Sequence, residues 1–293
     1  MHRYAKRAAL ALLGLAVVAG GVVAVGHVWA GHKMQRQIVV DARPVAWTAD
    51  PQAVARGRYL YLSRGCADCH GVQGEGREFI NDGGGMRVRA PNITQGPGSV
   101  VAGYQAVDWV RAIRHGVKPD GRPLLIMPSE DYNRLTDADL AALMAYVRQM
   151  PPRRGGAAQI ELPVIVRAMY GLGAVRDAAE KIDHSLPPAR PVPEGVTLEH
   201  GAYVANMCLG CHGAKLAGGP IPGAPPDWPP AANLRVAEGG GMAGYAKPEV
   251  FAGMLRSGRR PDGSIVKVMP FDSLRELSDV DVRALHLYLL SLR

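Results

Sequence analysis

Cysteine, aromatic side chains and clustered charge are all scarce in this sequence. Only four of its 293 residues are cysteine, and phenylalanine, tryptophan and tyrosine together make up 6%. The formal net charge is +8, but much of it lies in residues 1–40, which contain basic residues and no acidic one. The remaining basic residues form no patch with interleaved aromatic rings, so we expect no nucleic-acid partner.

All the cysteines lie in two copies of one short motif. Cys66-Ala67-Asp68-Cys69-His70 recurs as Cys208-Leu209-Gly210-Cys211-His212, with no cysteine left over. C-x-x-C-H is the attachment sequence of c-type haem, in which both thiols bond to the haem vinyl groups and the histidine binds one axial face of the iron. The motifs therefore predict two covalently bound haem c groups, and the low aromatic content fits cores that are partly filled by haem.

Other uses of four cysteines explain this pattern less well. An all-cysteine zinc site usually spaces its C-x-x-C pairs by about 15–20 residues, whereas these pairs lie 142 residues apart. Thioredoxin-like redox pairs need a βαβ surround, and the flanking sequence has helical patterns instead. Neither of these uses, nor a pair of disulfides, explains the histidine that follows both pairs.

The second motif begins a repeat of the first. The offset of 142 that relates His70 to His212 also relates Met127-Pro128 to Met269-Pro270. Methionine opposite histidine gives a closed six-coordinate iron, and a following proline restricts the backbone of a loop ligand. We therefore predict His70 with Met127 and His212 with Met269 as ligand pairs; a pair of core methionines is the alternative. The two halves also offer Met86, Met144, Met150, Met242 and Met254, none of which shares the offset.

These motifs together resemble class I cytochrome c. They comprise C-x-x-C-H, the turn Arg114–Gly121, the Met-Pro loop, and a closing Leu-Thr/Ser-Asp-x-Asp helix that begins near Leu135 and again near Leu277. The whole chain resembles membrane-anchored bacterial dihaem cytochromes c and is similar to the cytochrome subunits of membrane-bound alcohol and sugar-acid dehydrogenases. The resemblance implies an all-α fold with two cytochrome c domains in tandem. It also implies contacts near the haems from the Pro91-Asn92 loop and from Asn233, although both asparagines are equally suited to forming turns.

The N-terminus predicts a membrane anchor over residues 1–33. Ala8 to Gly26 is a run without charge, and its 19 residues span about 28 Å, close to the thickness of the hydrocarbon core. Arg3, Lys6 and Arg7 precede it, which favours a cytoplasmic N-terminus and haem domains in the periplasm of a bacterial inner membrane. A cleaved signal peptide ending near Val28-Trp29-Ala30 is the alternative.

The remaining chain divides into two domains and a connector. We predict cytochrome c domains at 45–152 and 195–293, joined by a helical strap at 153–194 whose Pro-rich end is stiff. Residues 71–105 are predicted as loop. The predicted helices are Ala53–Arg64, Val107–His115, Asp137–Gln149, Leu162–Lys181, Leu198–Met207, Pro248–Ser257 and Asp279–Leu290.

Several residues outside the motifs also carry expectations. Trp109 and Phe251 align and are expected to pack in the core or against the haem, and Arg114 and Arg256 either pair with propionates or remain solvated. His184 has no partner in the repeat and is a remote candidate for a surface site. Glycine runs at 83–85 and 239–241 open no βα unit, so they are not phosphate loops.

The predicted function is single-electron transfer between a dehydrogenase or respiratory complex and a downstream acceptor. The expected partners are redox proteins and the inner membrane, and no catalytic residue is predicted. One alternative is a subunit permanently docked in a larger complex. Another is a dihaem enzyme such as a peroxidase, which needs an iron with an open site and is therefore disfavoured by the paired methionines.

Overall fold

A computed structural model describes residues 2–221, 224, 227–236 and 239–293. Its first element is a long helix, α1 (His2–Gln35), which packs against the remainder of the chain only near its C-terminal end. The most apolar stretch of 18 residues in α1 has a mean hydropathy of 2.5. In the described part of the chain, α1 is the one helix that is long and apolar enough to cross a membrane. This agrees with the predicted anchor.

A first helical unit follows α1 and is built around one core. Its helices are α2 (Pro51–Ser63), α3 (Cys66–His70), α4 (Ala106–His115), α5 (Ser129–Tyr132) and α6 (Asp137–Gln149). Local signals account for α6, because Thr136 accepts a hydrogen bond from the Asp139 N–H and Asp137 and Asp139 lie in the positive first turn. Its core contains Leu60, Tyr61, Trp109, Leu140 and Met144, which confirms the expected position of Trp109.

The fold is mostly helical, as predicted, and adds three short strands that the sequence analysis did not predict. Residues 71–105, predicted as loop, contain β1 (Glu78–Asn81) and β2 (Arg87–Arg89), and the connector adds β3 (Gln159–Glu161). The strands form an antiparallel sheet in the order β1-β2-β3. Such short strands bury little beyond Val88, so they leave almost no alternating pattern in the sequence.

The connector contains two short helices in place of the predicted single one. These are α7 (Val164–Gly171) and α8 (Ala178–Lys181). The chain breaks between them because Gly173 has a φ of +82° and Asp177 starts α8 by accepting the Glu180 N–H. Helix α7 packs against α1, whereas Ala178 and Ala179 of α8 lie over Gly116 in the first unit.

A second helical unit completes the chain. Its helices are α9 (Leu198–Ala205), α10 (Leu209–His212), α11 (Pro248–Ser257), α12 (Phe271–Leu274) and α13 (Asp279–Ser291). The predicted helix over Leu198–Met207 ends two residues early, and a 3₁₀ turn over Asn206–Cys208 joins α9 to α10. Phe251 lies in the core of this unit, as expected from its alignment with Trp109.

The two units share the same helix crossing. A Cβ atom on Gly57 would lie 1.9 Å from the Ala142 carbonyl oxygen, and one on Gly201 would lie 2.0 Å from that of Ala284. Only glycine permits this approach, so α2 crosses α6 and α9 crosses α13 with their backbones nearly touching. The repeat found in the sequence is therefore also a repeat in packing.

Candidate functional site

Each C-x-x-C-H motif forms a short helix that ends at a glycine. The Gly71 N–H donates to the Ala67 carbonyl at the end of α3, and the Gly213 N–H donates to the Leu209 carbonyl at the end of α10, both at 2.9 Å. Both glycines have a positive φ, which β-carbon-bearing residues adopt at a cost. In the first unit both cysteines and the histidine lie on α3, whereas in the second unit Cys208 ends the preceding 3₁₀ turn and Cys211 and His212 lie on α10.

Both motif histidines are oriented by a backbone carbonyl. His70 Nδ1 lies 3.1 Å from the Pro91 oxygen, and His212 Nδ1 lies 2.7 Å from the Ala232 oxygen. A carbonyl only accepts hydrogen bonds, so Nδ1 carries the proton and Nε2 keeps its lone pair. Burial lowers the pKa of both imidazoles, which favours the neutral form that a metal ion requires.

The carbonyl contacts correct the expectation placed on Asn92 and Asn233. The residue before each asparagine contacts the histidine, and the asparagine holds the loop. The Asn92 side chain accepts from the Thr94 N–H at 2.9 Å and donates to the Arg153 carbonyl at 2.8 Å. Asn233 accepts from the Arg235 N–H at 3.0 Å. Both act in this structure as turn formers.

The two aligned methionines have the same surroundings. Met127 packs half-buried against the first core together with Cys66, and Met269 packs against the second core together with Cys208. In each, the methionine carbonyl accepts from the N–H two residues on at 2.9 Å, and a one-turn helix follows the proline. By contrast, Met144, Met150, Met242 and Met254 are buried in the cores, and Met86 lies next to β2.

No disulfide joins any of the four cysteines, and burial disfavours the thiolate form of their side chains. Burial raises the pKa of Cys66 and of Cys208 to about 12 and that of Cys69 to about 11. Thiol–disulfide exchange needs a thiolate and therefore a lowered pKa. The described part of the chain also contains no group of three or more His, Cys, Asp and Glu side chains that could hold a metal ion, so a thiol redox pair and a zinc site both find no support.

The donor set of each unit fits haem c. Two cysteines lie on or directly before the short helix that carries a neutral histidine fixed through Nδ1, and a half-buried methionine packs against the same core. Fixing the free nitrogen by a second contact is the usual way in which a protein orients a ligating histidine.

The two units interlock through their motifs, which the sequence did not predict. The Gly210 N–H in the second motif donates to Asp131 Oδ1 at 2.6 Å, and the Ser273 hydroxyl donates to Asp68 Oδ2 in the first motif at 2.5 Å. Positions 68 and 210 are equivalent in the repeat, as are 131 and 273. The interface therefore has approximate two-fold symmetry, in which the helix after each Met-Pro braces the motif of the other unit.

A second pair of symmetric contacts surrounds this one. Tyr59 donates to Asp281 at 2.6 Å, and Tyr203 donates to Asp139 at 2.7 Å. Asp281 is fully buried and also binds Arg64 at 2.6 Å, across the interface. The sequence contains a signal for this interface, because Tyr59 corresponds to Tyr203 in the repeat and Asp139 corresponds to Asp281.

A cleft between the units brings the two candidate sites together. Its lining includes Cys69 and Arg77 of the first unit and Met269, Pro270 and Phe271 of the second. The cleft therefore lies between a cysteine of one site and the candidate methionine ligand of the other.

The other singled-out residues have structural partners. Arg114 is buried and donates to the Leu135 carbonyl at 2.6 Å while pairing with Asp137, and Arg256 binds the Arg275 carbonyl and Asp279 in the same manner. Each arginine therefore ties α4 or α11 to the start of the closing helix. His184 lies beside His115, with 3.0 Å between their Nδ1 atoms, so it is not an isolated surface residue.

Comparison with known proteins places part of the chain in a family. Residues 54–151 match the family described as cytochrome c. The chain is 27% identical over 281 residues to the fructose dehydrogenase cytochrome subunit of Gluconobacter japonicus, covering 85% of this chain and 54% of that protein. It is 28% identical over 292 residues to the gluconate 2-dehydrogenase cytochrome c subunit of Pantoea cypripedii, covering 87% and 64%.

A further relative is described as a dihaem protein. The chain is 27% identical over 158 residues to a diheme cytochrome c-type protein of Cereibacter sphaeroides, with 50% of this chain and 49% of that protein covered. The resemblance predicted from the motifs is thus confirmed. The chain spans between half and two thirds of the length of the dehydrogenase cytochrome subunits that it matches.

Proposed function

We propose that the chain, whose residues 54–151 match the cytochrome c family, is a dihaem c-type cytochrome that relays single electrons. In this proposal residues 195–293 form a second domain of the same kind. The shared motif geometry, the shared glycine crossing and the aligned methionines support it.

The proposed haem-binding residues are those predicted from the sequence. Cys66 and Cys69 would form the thioether bonds of the first site, and His70 and Met127 would hold its iron. The corresponding residues of the second site are Cys208, Cys211, His212 and Met269. When bound, haem supplies the reversible one-electron chemistry of iron. The Pro91 and Ala232 carbonyls hold the imidazoles, and each core packs against one side of its methionine.

The interlocked interface is the observation that carries the proposal of a relay. Each motif is braced by the other unit through Asp68–Ser273 and Asp131–Gly210, and one cleft contains both Cys69 and Met269. Electron transfer between two sites depends on a short and fixed separation, which such contacts would maintain. A pair of independently tethered domains would have no reason to retain these contacts in both halves.

The chain's partners are proposed from its relatives and from its N-terminus. Cytochrome subunits of fructose and gluconate dehydrogenases are among its relatives, so we infer a dehydrogenase donor, with the chain serving as a carrier that holds no catalytic residue. Helix α1 anchors it in a bacterial inner membrane, and the basic residues before the apolar run favour haem domains in the periplasm. Packing of Gly26 against Ala168 supports retention of α1, because cleavage after Ala30 would remove that contact.

Redox titration of the full chain in detergent tests the proposal. We expect two one-electron components in the haem absorbance, and only one in the double variant Cys208→Ser/Cys211→Ser. A wild-type chain with a single component would overturn the dihaem relay. The double variant also controls for misfolding, because the haem of its first site should keep a midpoint potential close to the wild-type value. The only expected shift is the one caused by loss of the charge of the second haem.

Permanent docking in a larger complex is the second candidate function. It is favoured by relatives that are themselves named as subunits. Purification from native membranes in mild detergent separates the two functions. A stoichiometric dehydrogenase subunit that resists high salt indicates permanent docking, whereas a chain recovered alone indicates a mobile carrier.

A further inference from the structure

Helix α7 exposes an apolar face that the helical units leave uncovered. Val164 and Ile165 are each 56% exposed, Leu172 is 45% exposed and Met169 is 37% exposed. Ile165, Met169 and Leu172 follow the i, i+4, i+7 spacing of one helix face. Ala168 and Tyr170 of α7 are buried, whereas its large aliphatic side chains are the exposed ones.

Close packing fixes α7 against the end of α1. A Cβ atom on Gly171 would lie 1.9 Å from the Gly26 carbonyl oxygen, and one on Gly26 would lie 2.7 Å from that of Ala168. Small residues of this kind let two helix backbones approach within contact distance. The position of α7 along α1 is therefore set by backbone packing.

Polar contacts stabilise the same junction between α1 and α7 on the side that is farther from the uncharged run of α1. Lys33 Nζ donates to the Tyr170 carbonyl at 2.8 Å, and Arg36 binds both carboxylate oxygens of Asp177 at 2.8 Å. Asp177 also accepts from the Tyr170 hydroxyl at 2.6 Å. These contacts begin about two turns beyond Gly26, so the junction changes from apolar to charged over a few residues.

The depth of the junction follows from the length of α1. The uncharged run begins after Arg7, and about 20 helical residues cross about 30 Å of hydrocarbon. The far boundary of the bilayer then lies near His27, where α7 meets α1. Trp29 is exposed at this level, in the position that interfacial aromatic residues prefer.

We propose that α7 is a second membrane contact, which lies in the boundary between lipid headgroups and acyl chains on the side of the haem domains. The exposed side chains of Val164, Ile165, Met169 and Leu172 face lipid there, continuous with the exposed apolar surface of α1 formed by Val22, Val25 and Val28. Bilayer contact through a short apolar helix face is a known binding mode. The connector would then hold the first helical unit at a fixed height above the membrane, since α8 and β3 both pack on that unit.

This inference rests on the proposed anchoring by α1, and photo-crosslinking tests the two separately. The full chain carries p-benzoylphenylalanine in place of one residue at a time and is reconstituted in nanodiscs of phosphatidylcholine and phosphatidylglycerol. Val18, exposed in the middle of α1, reports insertion of the anchor, Ile165 reports α7, and Leu287, exposed on α13, is the matched control. An unchanged haem spectrum verifies folding of each variant.

We expect phospholipid adducts at positions 18 and 165, with the yield at 165 about tenfold above that at 287. An adduct at 18 without one at 165 overturns the role of α7 and leaves the anchor intact. No adduct at 18 contradicts the proposed anchoring and the inference with it. In native membranes, a protein adduct at 165 in place of the lipid adduct assigns this face to a partner subunit and also overturns the inference.

Discussion

Replacement of Arg64 by methionine tests the interlocked interface through its most buried ion pair. Arg64 Nη2 lies 2.6 Å from Asp281 Oδ2, and the two side chains are 7% and 0% exposed. Removing one partner of a buried pair leaves an uncompensated charge and typically costs about 3–5 kcal/mol. Because Tyr59 and His200 still donate to Asp281, we expect the lower end of that range, about 3 kcal/mol.

Thermal unfolding of the full chain, followed by circular dichroism and haem absorbance, measures this cost. About 3 kcal/mol corresponds to a fall in Tm of roughly 6–12 °C for a protein of this size. The matched control is Arg122→Met, because Arg122 also pairs with an aspartate at 2.6 Å but both groups are exposed. Exposed pairs contribute about 0–1 kcal/mol. Equal falls in Tm for the two variants would refute a buried, stabilising contact between the units.

Three further predictions address packing, ligation and pH. Gly57→Ala should lower the free energy of unfolding by about 1–3 kcal/mol or more, because the new methyl group overpacks the helix crossing. Gly253→Ala, whose new Cβ meets open space, should instead stabilise α11 by about 0.5–1 kcal/mol. Urea unfolding distinguishes the two variants, and equal effects would contradict the close crossing of α2 and α6. Met127→Ala and Met269→Ala should each remove about half of the weak far-red band that accompanies methionine ligation of oxidised haem, and a band that survives in the double variant would rule out both ligands. Burial favours a raised pKa for Asp281, but the Arg64 charge and the hydrogen bonds from Tyr59, Arg64 and His200 outweigh burial and hold that pKa below its usual range. The stabilisation from ionised Asp281 is therefore complete above about pH 4 and is lost as the pH falls through the lower folded-state pKa. A free energy of unfolding that stays constant on acidification would contradict this stabilisation.

Local signals made the longer helices predictable. The helices at 248–257 and at 137–149 both have the predicted bounds. The prediction of a single helix in the connector was wrong. Gly173 and the cap at Asp177 interrupt the chain there, although the residues on both sides have helical spacing. Apolar content alone does not show where a helix stops.

The sequence predicts which side chains form the candidate site, but it does not predict the contacts that hold them in place. The motifs identify the cysteines and histidines directly, since the chemistry requires those side chains. The contacts that orient the histidines come from the carbonyls of Pro91 and Ala232, and a backbone carbonyl leaves no preference for a residue type.

The contact between units is the part that sequence reasoning missed altogether. Asp68 and Ser273 are separated by 205 positions, so neither periodicity nor a short motif relates them. Comparison of the two repeats for buried polar residues, such as Tyr59 with Tyr203, would have indicated a shared surface without showing that the two halves use it against each other.

Haem stoichiometry tests the central claim most directly. Pyridine haemochrome absorbance of the purified full chain, together with its intact mass, counts the haems that are covalently attached. The account predicts two per chain, falling to one in Cys208→Ser/Cys211→Ser and to one in Cys66→Ser/Cys69→Ser. A wild-type chain with one haem and two unmodified cysteines would contradict it.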